Sequence, residues 1–475
     1  MRLDPAALRD AVHSVDTLFQ TRAADSHAPS ASYGLFTRDG LVHTGSTGEV
    51  ASTAPTADTV YRIASCTKSF TATALLALRD AGSLSLDAPV TDFVPAFADV
   101  VLPTTDSPVP TVRMLLTMSA GLPTDDPWGD RQESITDAEL DALLRRGLRF
   151  DSIPGTRFAY SNLGYALLGR VVSEASGRPY RDVVRETILG PLGLDSTGFE
   201  EPAEASDRVA VGHRRSGDEW LPLPFSGPGG FSSIGGLFSP VTDLSRWARW
   251  LASAFDDSPG ATGDFDGILS RASRREAQQL SRSVPGPGPH ASGYGFGLFV
   301  EHDPELGDIV SHSGGYPGFS AHMRWHPASG LGMVAFENAT YAQVSVPVTT
   351  ALHGLLHDLE AAPAPTVWPE TLAARAEVEK ALRGGDLPSD LVSENVDLDI
   401  PFAERRAAWR AAIESIGGLE GAANARDVEH DESTAPSHLV WHLPGRTGRL
   451  RVEIRLTPEL PPRIQTLRVQ AERLG

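Results

Sequence analysis

A chain of 475 residues is too long for one ordinary domain, so two or three structural units are expected. Hydrophobic residues at 41% and charged residues at 21% suit a soluble globular protein, and no apolar run is long enough for a membrane-spanning helix. A net charge of −20 argues against nucleic acid and anionic membranes as partners, and a single cysteine, Cys66, excludes an intrachain disulfide.

At the N-terminus Leu3, Leu8, Val12, Val15 and Phe19 fall near helical spacing, which predicts an amphipathic helix rather than a secretory signal. The expected location is therefore the cytoplasm. SASYGLFTRDGLVHTGS reads as a hairpin about Arg38-Asp39-Gly40. SCTKSFTATALLALRDAG reads as a helix closed by Gly82. From about residue 83 to 207 the pattern is mostly helical with Pro and Gly punctuation, and its clearest helix, LGYALLGRVVSEASG, closes at Gly177. TDLSRWARWLASAF predicts a further helix with Thr242 or Asp243 as N-cap. YGFGLFVEH, DIVSHSGG, FSAHMRWHP and GLGMVAFEN read as successive antiparallel strands, and a helix follows over about 344–357.

AAPAPTVWP (361–369) reads as a linker. Beyond it PFAERRAAWRAAIESIGG predicts a helix, and HLVWHL, GRLRVEIRL and RIQTLRVQ a three-stranded meander. In the middle strand Leu450, Val452, Ile454 and Leu456 alternate with Arg449, Arg451, Glu453 and Arg455, giving one apolar and one charged face. The expected fold class is α/β (α+β). An antiparallel sheet is flanked by helices, with an all-helical insertion at about 83–207, in a domain over 1–360; a small α+β domain covers 370–475.

Three short motifs carry chemistry. Ser65-Cys66-Thr67-Lys68 opens an apolar helix, where residues i and i+3 share a face, so Lys68 lies within reach of the Ser65 hydroxyl. Taken alone, an N-cap serine with an exposed lysine is the commoner meaning of that spacing. Cys66 lies one residue round the helix and reads as a small buried core residue. Tyr160-Ser161-Asn162 sits in a short, exposed loop before a helix. A tyrosine beside a lysine can serve as acid or base with its pKa lowered, and Asn162 can orient both lysine and substrate. An aromatic anchor with an Asn N-cap is the plainer alternative. His312-Ser313-Gly314-Gly315 closes the strand DIVSH, where a free edge can pair with an extended substrate and glycines permit close approach; a plain glycine-rich turn remains open.

In this order, and with the stretches LLTMSAGL, PGTRFAYSNLGYALLG and GGLFSPVTDLSRW, the three motifs resemble the β-lactamase and penicillin-binding-protein serine hydrolases over about residues 10–355. The branch is that of class C β-lactamases, DD-peptidases, D-aminopeptidases and related esterases, so the expected fold is β-lactamase/transpeptidase-like. The resemblance implies that Ser65 is acylated, that Lys68 and Tyr160 share general-base and general-acid work, and that Asn162 orients them. It implies an oxyanion hole from the N–H groups of Ser65 and Gly315, with His312 in the place of the lysine of Lys-Thr-Gly. Ser313 and Gly314 would line the substrate edge, and Trp128, with Asp125 and Asp126 in a polar loop, the rim of the cleft; a surface loop with a half-buried tryptophan is the plainer alternative. Met118 stands where relatives carry histidine and reads as packing.

A histidine of ordinary pKa would hold a substrate carboxylate only below neutrality, which shifts the expected activity from β-lactams toward esters, amides or D-amino-acid peptides. Arg324 could supply the missing charge. No cofactor is implied. The pairs His322/His326 and His438/His442 lack carboxylates in ligand spacing and read as ordinary strand residues, so no metal is expected. The expected partner is a small molecule or short peptide, with oligomeric state open. A peptide cyclase/thioesterase of the penicillin-binding type, and a non-catalytic penicillin-binding-like sensor, are the alternatives.

Overall fold

A computed structural model describes residues 5–200, 206–257, 267–286, 291–359, 367–420 and 433–473. The chain divides into two compact units, Met1–Ala362 and Pro363–Gly475.

The first unit is built on an eight-stranded antiparallel sheet. Its strands in chain order are β1 (Ser30–Thr37), β2 (Gly40–Gly48), β3 (Arg282–Ser283), β4 (Ala291–Tyr294), β5 (Phe299–Asp303), β6 (Gly307–Tyr316), β7 (Phe319–Trp325) and β8 (Gly332–Glu337). Across the sheet they run β2-β1-β8-β7-β6-β5-β4-β3. The early hairpin thus joins the late strands through β1 against β8, with Tyr33 opposite Ala335, and the helical block is looped out between them.

One face is covered by α1 (Pro5–Ala24) and by a late helix, Ser345–Asp358; Val15 and Phe19 pack there with Leu352, Leu355, Tyr33 and Met333. Leu3 lies outside the described residues. The other face meets α2 (Thr67–Asp80) and the helix Val241–Ala252, in which Val241, Leu244, Trp247, Ala248 and Leu251 are buried at helical spacing. Numbering on in chain order, α3 is Asn162–Ser176, α4 is Val241–Ala252 and α5 is Ser345–Asp358. Gly82 and Gly177 both take positive φ just past their helices, as expected of C′ glycines. The described part of the block from 83 to 207 holds short helices and 3-10 turns around α3, with no strand longer than an isolated bridge.

Four sequence expectations need correction. α4 starts at Val241 behind Pro240, so neither Thr242 nor Asp243 is its N-cap. The Asp243 carboxylate instead accepts hydrogen bonds from Ser196 N and Thr197 Oγ1, both at 2.9 Å. YGFGLFVEH is two strands, β4 and β5, folded back at Gly297, whose φ is +71° and whose Cβ would fall 2.5 Å from the Lys68 carbonyl. The segment from His312 to Gly315 is not a turn after a strand, since β6 continues to Tyr316. The linker expected over 361–369 ends early. Pro369 opens a helix, α6 (Pro369–Leu382), because proline is well suited to the first helical position, and Ala374, Val378 and Leu382 form its buried stripe. Residues 361–366 lie outside those described.

The second unit packs α6 and α7 (Phe402–Ser415) on a meander of β9 (His438–Pro444), β10 (Gly448–Leu456) and β11 (Ile464–Arg473). Leu450, Val452, Ile454 and Leu456 are buried with Trp409, Val378 and Trp441.

The Trp247 ring stacks on Phe70 of α2 at 3.8 Å, and its Nε1 donates to Ser69 Oγ at 2.9 Å. Trp247→Ala would leave a cavity directly behind the helix that carries Lys68. A loss of about 3–5 kcal/mol is expected in chemical denaturation.

Candidate active site

Ser65 sits in a 3-10 turn, Ala64–Cys66, that leads into α2. Ala64 takes φ +47°, a left-handed conformation costly for a residue with a side chain, and this turns Ser65 toward β6. The strand can approach only because residue 314 is glycine, since a Cβ there would lie 2.3 Å from the Ile63 carbonyl. One helical turn on, Lys68 is fully buried, and its Nζ lies 2.9 Å from Ser65 Oγ, 2.7 Å from Asn162 Oδ1 and 2.8 Å from the Ile234 carbonyl. Burial pushes the lysine down to about 8, opposed chiefly by the charges of Asp126, Asp130 and Asp125.

Asn162 is held by its own partners. In the loop before α3 Thr156 and Arg157 are exposed and Tyr160 is half-buried, whereas Ser161 and Asn162 are buried, and Ser161, not Asn162, is the N-cap, accepting from Gly164 N at 3.1 Å. Asp125 reinforces the helix start by accepting from Asn162 N at 2.6 Å and Leu163 N at 2.9 Å. Asp126 accepts from Asn162 Nδ2 at 2.9 Å, which leaves Oδ1 for Lys68. Both carboxylates therefore face inward to the site, whereas Trp128 is 43% exposed and stands edge-on to Phe231.

The Tyr160 ring lies 5.0 Å from Lys68 Nζ, and its phenol is within hydrogen-bonding reach of Ser65. Its pKa is raised rather than lowered, by removal from water and then by Asp126, with only the Ser65 contact opposing. The phenol is therefore a proton donor in this setting and not a phenolate base.

His312 departs furthest from expectation. It is buried, its Nδ1 faces the Ser313 carbonyl at 2.6 Å and must carry the proton, and its Nε2 then accepts from Tyr294 Oη at 3.1 Å. Burial and the nearby Lys68 charge push it down to about 3, so it stays neutral at any working pH. Arg324 does not replace the charge, because it sits on the α5 face of the sheet, bonded to Glu301 at 2.6 Å and His353 at 2.9 Å.

The Ser313 hydroxyl turns to that same face and meets His322 Nδ1 at 2.9 Å, leaving only its backbone for the cleft. Past Ser311, β6 has no pairing with β5, so the backbone of residues 312–316 borders the cleft as an open edge that includes Gly314 and Gly315.

Cys66 is buried, with its thiol against the His312 carbonyl at 3.4 Å, and burial pushes it up to about 12. His326 bonds Ser329 and the Leu306 carbonyl, while His438 and His442 meet Glu453 and Glu472, partners that sequence spacing did not foretell. Among the described residues no three His, Cys, Asp or Glu side chains gather as metal ligands. No described helix is long and apolar enough to cross a membrane.

Sequence reasoning missed several groups. The turn Ser232–Gly235, which presents the Ile234 carbonyl, is clamped by a buried ion pair, Arg62–Glu133 at 3.2 Å. Arg62 Nε donates to the Gly235 carbonyl at 3.1 Å and Ser232 Oγ to Glu133 at 2.8 Å. Asp130, pushed up to about 7 by burial against the pull of Lys68, and Tyr294 were also unmarked. No local motif signals them, because each meets the site only through the fold.

A serine and a buried lysine, set between an antiparallel sheet and a helical insertion, are the arrangement of a serine hydrolase. The chain belongs to the β-lactamase family, whose family model matches residues 15–357. A penicillin-binding protein of Bacillus subtilis (strain 168) is 28% identical over 283 residues, 56% of this chain and 58% of that protein, so the chain spans little more than half of that relative. Esterase EstB of Burkholderia gladioli is 29% identical over 337 residues, 63% of this chain and 82% of that protein. The octameric penicillin-binding protein homologue from Pyrococcus abyssi shares the fold with a TM-score of 0.63 at 22% identity, over 96% of this chain and 99% of that one.

Gly129 lets the helix Asp126–Gly129 close on Asn162, since a Cβ there would fall 2.5 Å from Asn162 Cβ and 3.0 Å from its Nδ2. Gly129→Ala is expected to push Asn162 off Lys68 and to destabilise the first unit by about 1–3 kcal/mol, read by thermal unfolding.

Proposed function

We propose that this chain hydrolyses small esters and amides that carry no carboxylate, D-amino-acid amides among them, through an acyl-enzyme on Ser65. The observation that carries the reading is the set of three oxygens around Lys68 Nζ. Asn162 Oδ1 and the Ile234 carbonyl only accept, so a neutral amine gives them its two protons and keeps its lone pair for the Ser65 O–H. With its pKa at about 8, roughly one lysine in ten is neutral at pH 7, against about one in three thousand for an ordinary value of 10.5.

In this mechanism Lys68 takes the Ser65 proton as Oγ attacks the carbonyl carbon. The N–H groups of Ser65 and Gly315 receive the negative charge on the carbonyl oxygen. Tyr160 protonates the departing oxygen or nitrogen and regains its proton from Lys68, and water then cleaves the acyl-enzyme by the same steps in reverse. The neutral His312 supports the substrate preference, because a carboxylate beside β6 would be desolvated without a counter-charge. The likeness to a Burkholderia gladioli esterase supports it further.

Ser65→Ala should lower hydrolysis of p-nitrophenyl butyrate by about a thousandfold or more and abolish fluorophosphonate labelling; full activity in that variant would refute the reading. The base is the deprotonated lysine, so kcat/KM should rise with pH through about 8 and then level. Asp126→Asn keeps an acceptor for Asn162 but removes the charge that most stabilises the cation, so this limb should move to lower pH.

Ester hydrolysis should exceed nitrocefin hydrolysis at pH 7.5. The ratio should not change between pH 6 and 7.5 on account of His312, which titrates near 3 rather than near neutrality. His312→Lys should shift the ratio toward nitrocefin; a wild type that turns over nitrocefin faster than esters would overturn the preference.

A further inference from the structure

The connection from β8 to α5 is pinned on both sides of one residue. Before it, Thr340 N donates to the His213 carbonyl at 2.9 Å, and Thr340 Oγ1 accepts from Gly318 N at 2.8 Å. After it, Arg22, itself paired with Glu337, donates to the Ala342 carbonyl, and Val344 N donates to Ser320 Oγ at 3.2 Å. Between these anchors Tyr341 takes φ +50°, a left-handed conformation that bulky residues rarely adopt.

The constraint has a visible result. The Tyr341 ring lies over Gly315, with atoms 2.7 and 2.9 Å from where a Cβ would stand, and its hydroxyl donates to Asp130 Oδ2 at 2.8 Å. Asp130 is buried in the helical insertion, yet Tyr341 is 42% exposed. A surface tyrosine is thus held in a strained pose, reaching from the glycine edge of β6 to the opposite wall. Backbone strain sustained by this many anchors points to function more readily than to packing.

We propose that Tyr341 is a specificity-determining residue, a fixed bar from Gly315 to Asp130 that confines the acyl group to short chains. This deepens the reading of Ser65 as the acylated residue and rests on it. A substrate carbonyl polarised by Gly315 N–H carries its acyl group along the open edge of β6, and the ring stands where a longer chain would continue. Glycine at 315 serves the bar as well as the substrate, since any side chain there would displace the ring.

The test compares kcat/KM for p-nitrophenyl octanoate and p-nitrophenyl acetate in the wild type, Tyr341→Ala and Tyr341→Phe, with fluorophosphonate labelling of Ser65 in the same samples. The octanoate-to-acetate ratio should rise by about tenfold or more in Tyr341→Ala and by a smaller factor in Tyr341→Phe, which keeps the ring and loses its tie. A ratio within about twofold of wild type in the alanine variant overturns the bar and leaves a tyrosine that only ties the two walls together. If the alanine variant does not fold, the phenylalanine variant decides by the same twofold limit. Absence of labelling at Ser65 in the wild type would instead overturn the acyl-enzyme reading on which the bar depends.

Discussion

Lys68 holds an amine where bulk water does not reach, and much of the first unit is arranged around that fact. A buried ammonium is expensive unless its donors are met. Here one oxygen comes from the turn that leads into its own helix, one from the start of α3 and one from the turn Ser232–Gly235. These three segments are far apart in sequence, so the amine is satisfied only when the sheet side and the helical insertion have come together. Acidic groups on the insertion temper the desolvation and leave the lysine near the point where either protonation state is accessible.

The supports of the site are themselves paired and wholly or partly buried. The Arg62–Glu133 pair is fully buried, and the Arg62 guanidinium also lies 3.9 Å over the Tyr316 ring at the end of β6. One cation thereby links the turn that faces Lys68 to the strand edge that faces the cleft. Buried ion pairs add little net stability, but they fix geometry strictly, because removing either partner strands the other. The same logic applies to Asp125, which fastens the first turn of α3 beneath Asn162.

The elements with periodic apolar patterns were legible in the sequence: the β1–β2 hairpin, α2, α3 and the three-stranded meander of the second unit. Boundaries failed where one residue type has two meanings. Pro369 punctuates a linker or starts a helix, and an Asp near a helix start caps it or, like Asp243, reaches across to another segment. Ser65, Lys68, Tyr160 and Asn162 could be picked out because short spacing and a resemblance named them. What could not be read was protonation. The expectation that Lys68 would lower Tyr160, and that His312 would gain charge near neutrality, rested on one nearby cation and on the ordinary imidazole pKa. Burial, a property of the whole fold, outweighed both. Asp130, Glu133 and Tyr294 carried no local mark, since their role is defined by residues more than fifteen positions away.

The placement of Cys66 has a further consequence. The only thiol in the chain adjoins the residue assigned as nucleophile, yet it is enclosed and held almost wholly as the un-ionised thiol at neutral pH. Oxidants and alkylating reagents act on exposed thiolate, so the folded protein is inert to them at a position where modification would obstruct Ser65. Reactivity would return with loss of the contact between the turn before α2 and β6 that encloses the thiol. The chain therefore carries a built-in reporter of its own integrity, in which the appearance of a reactive thiol coincides with the dismantling of the cleft.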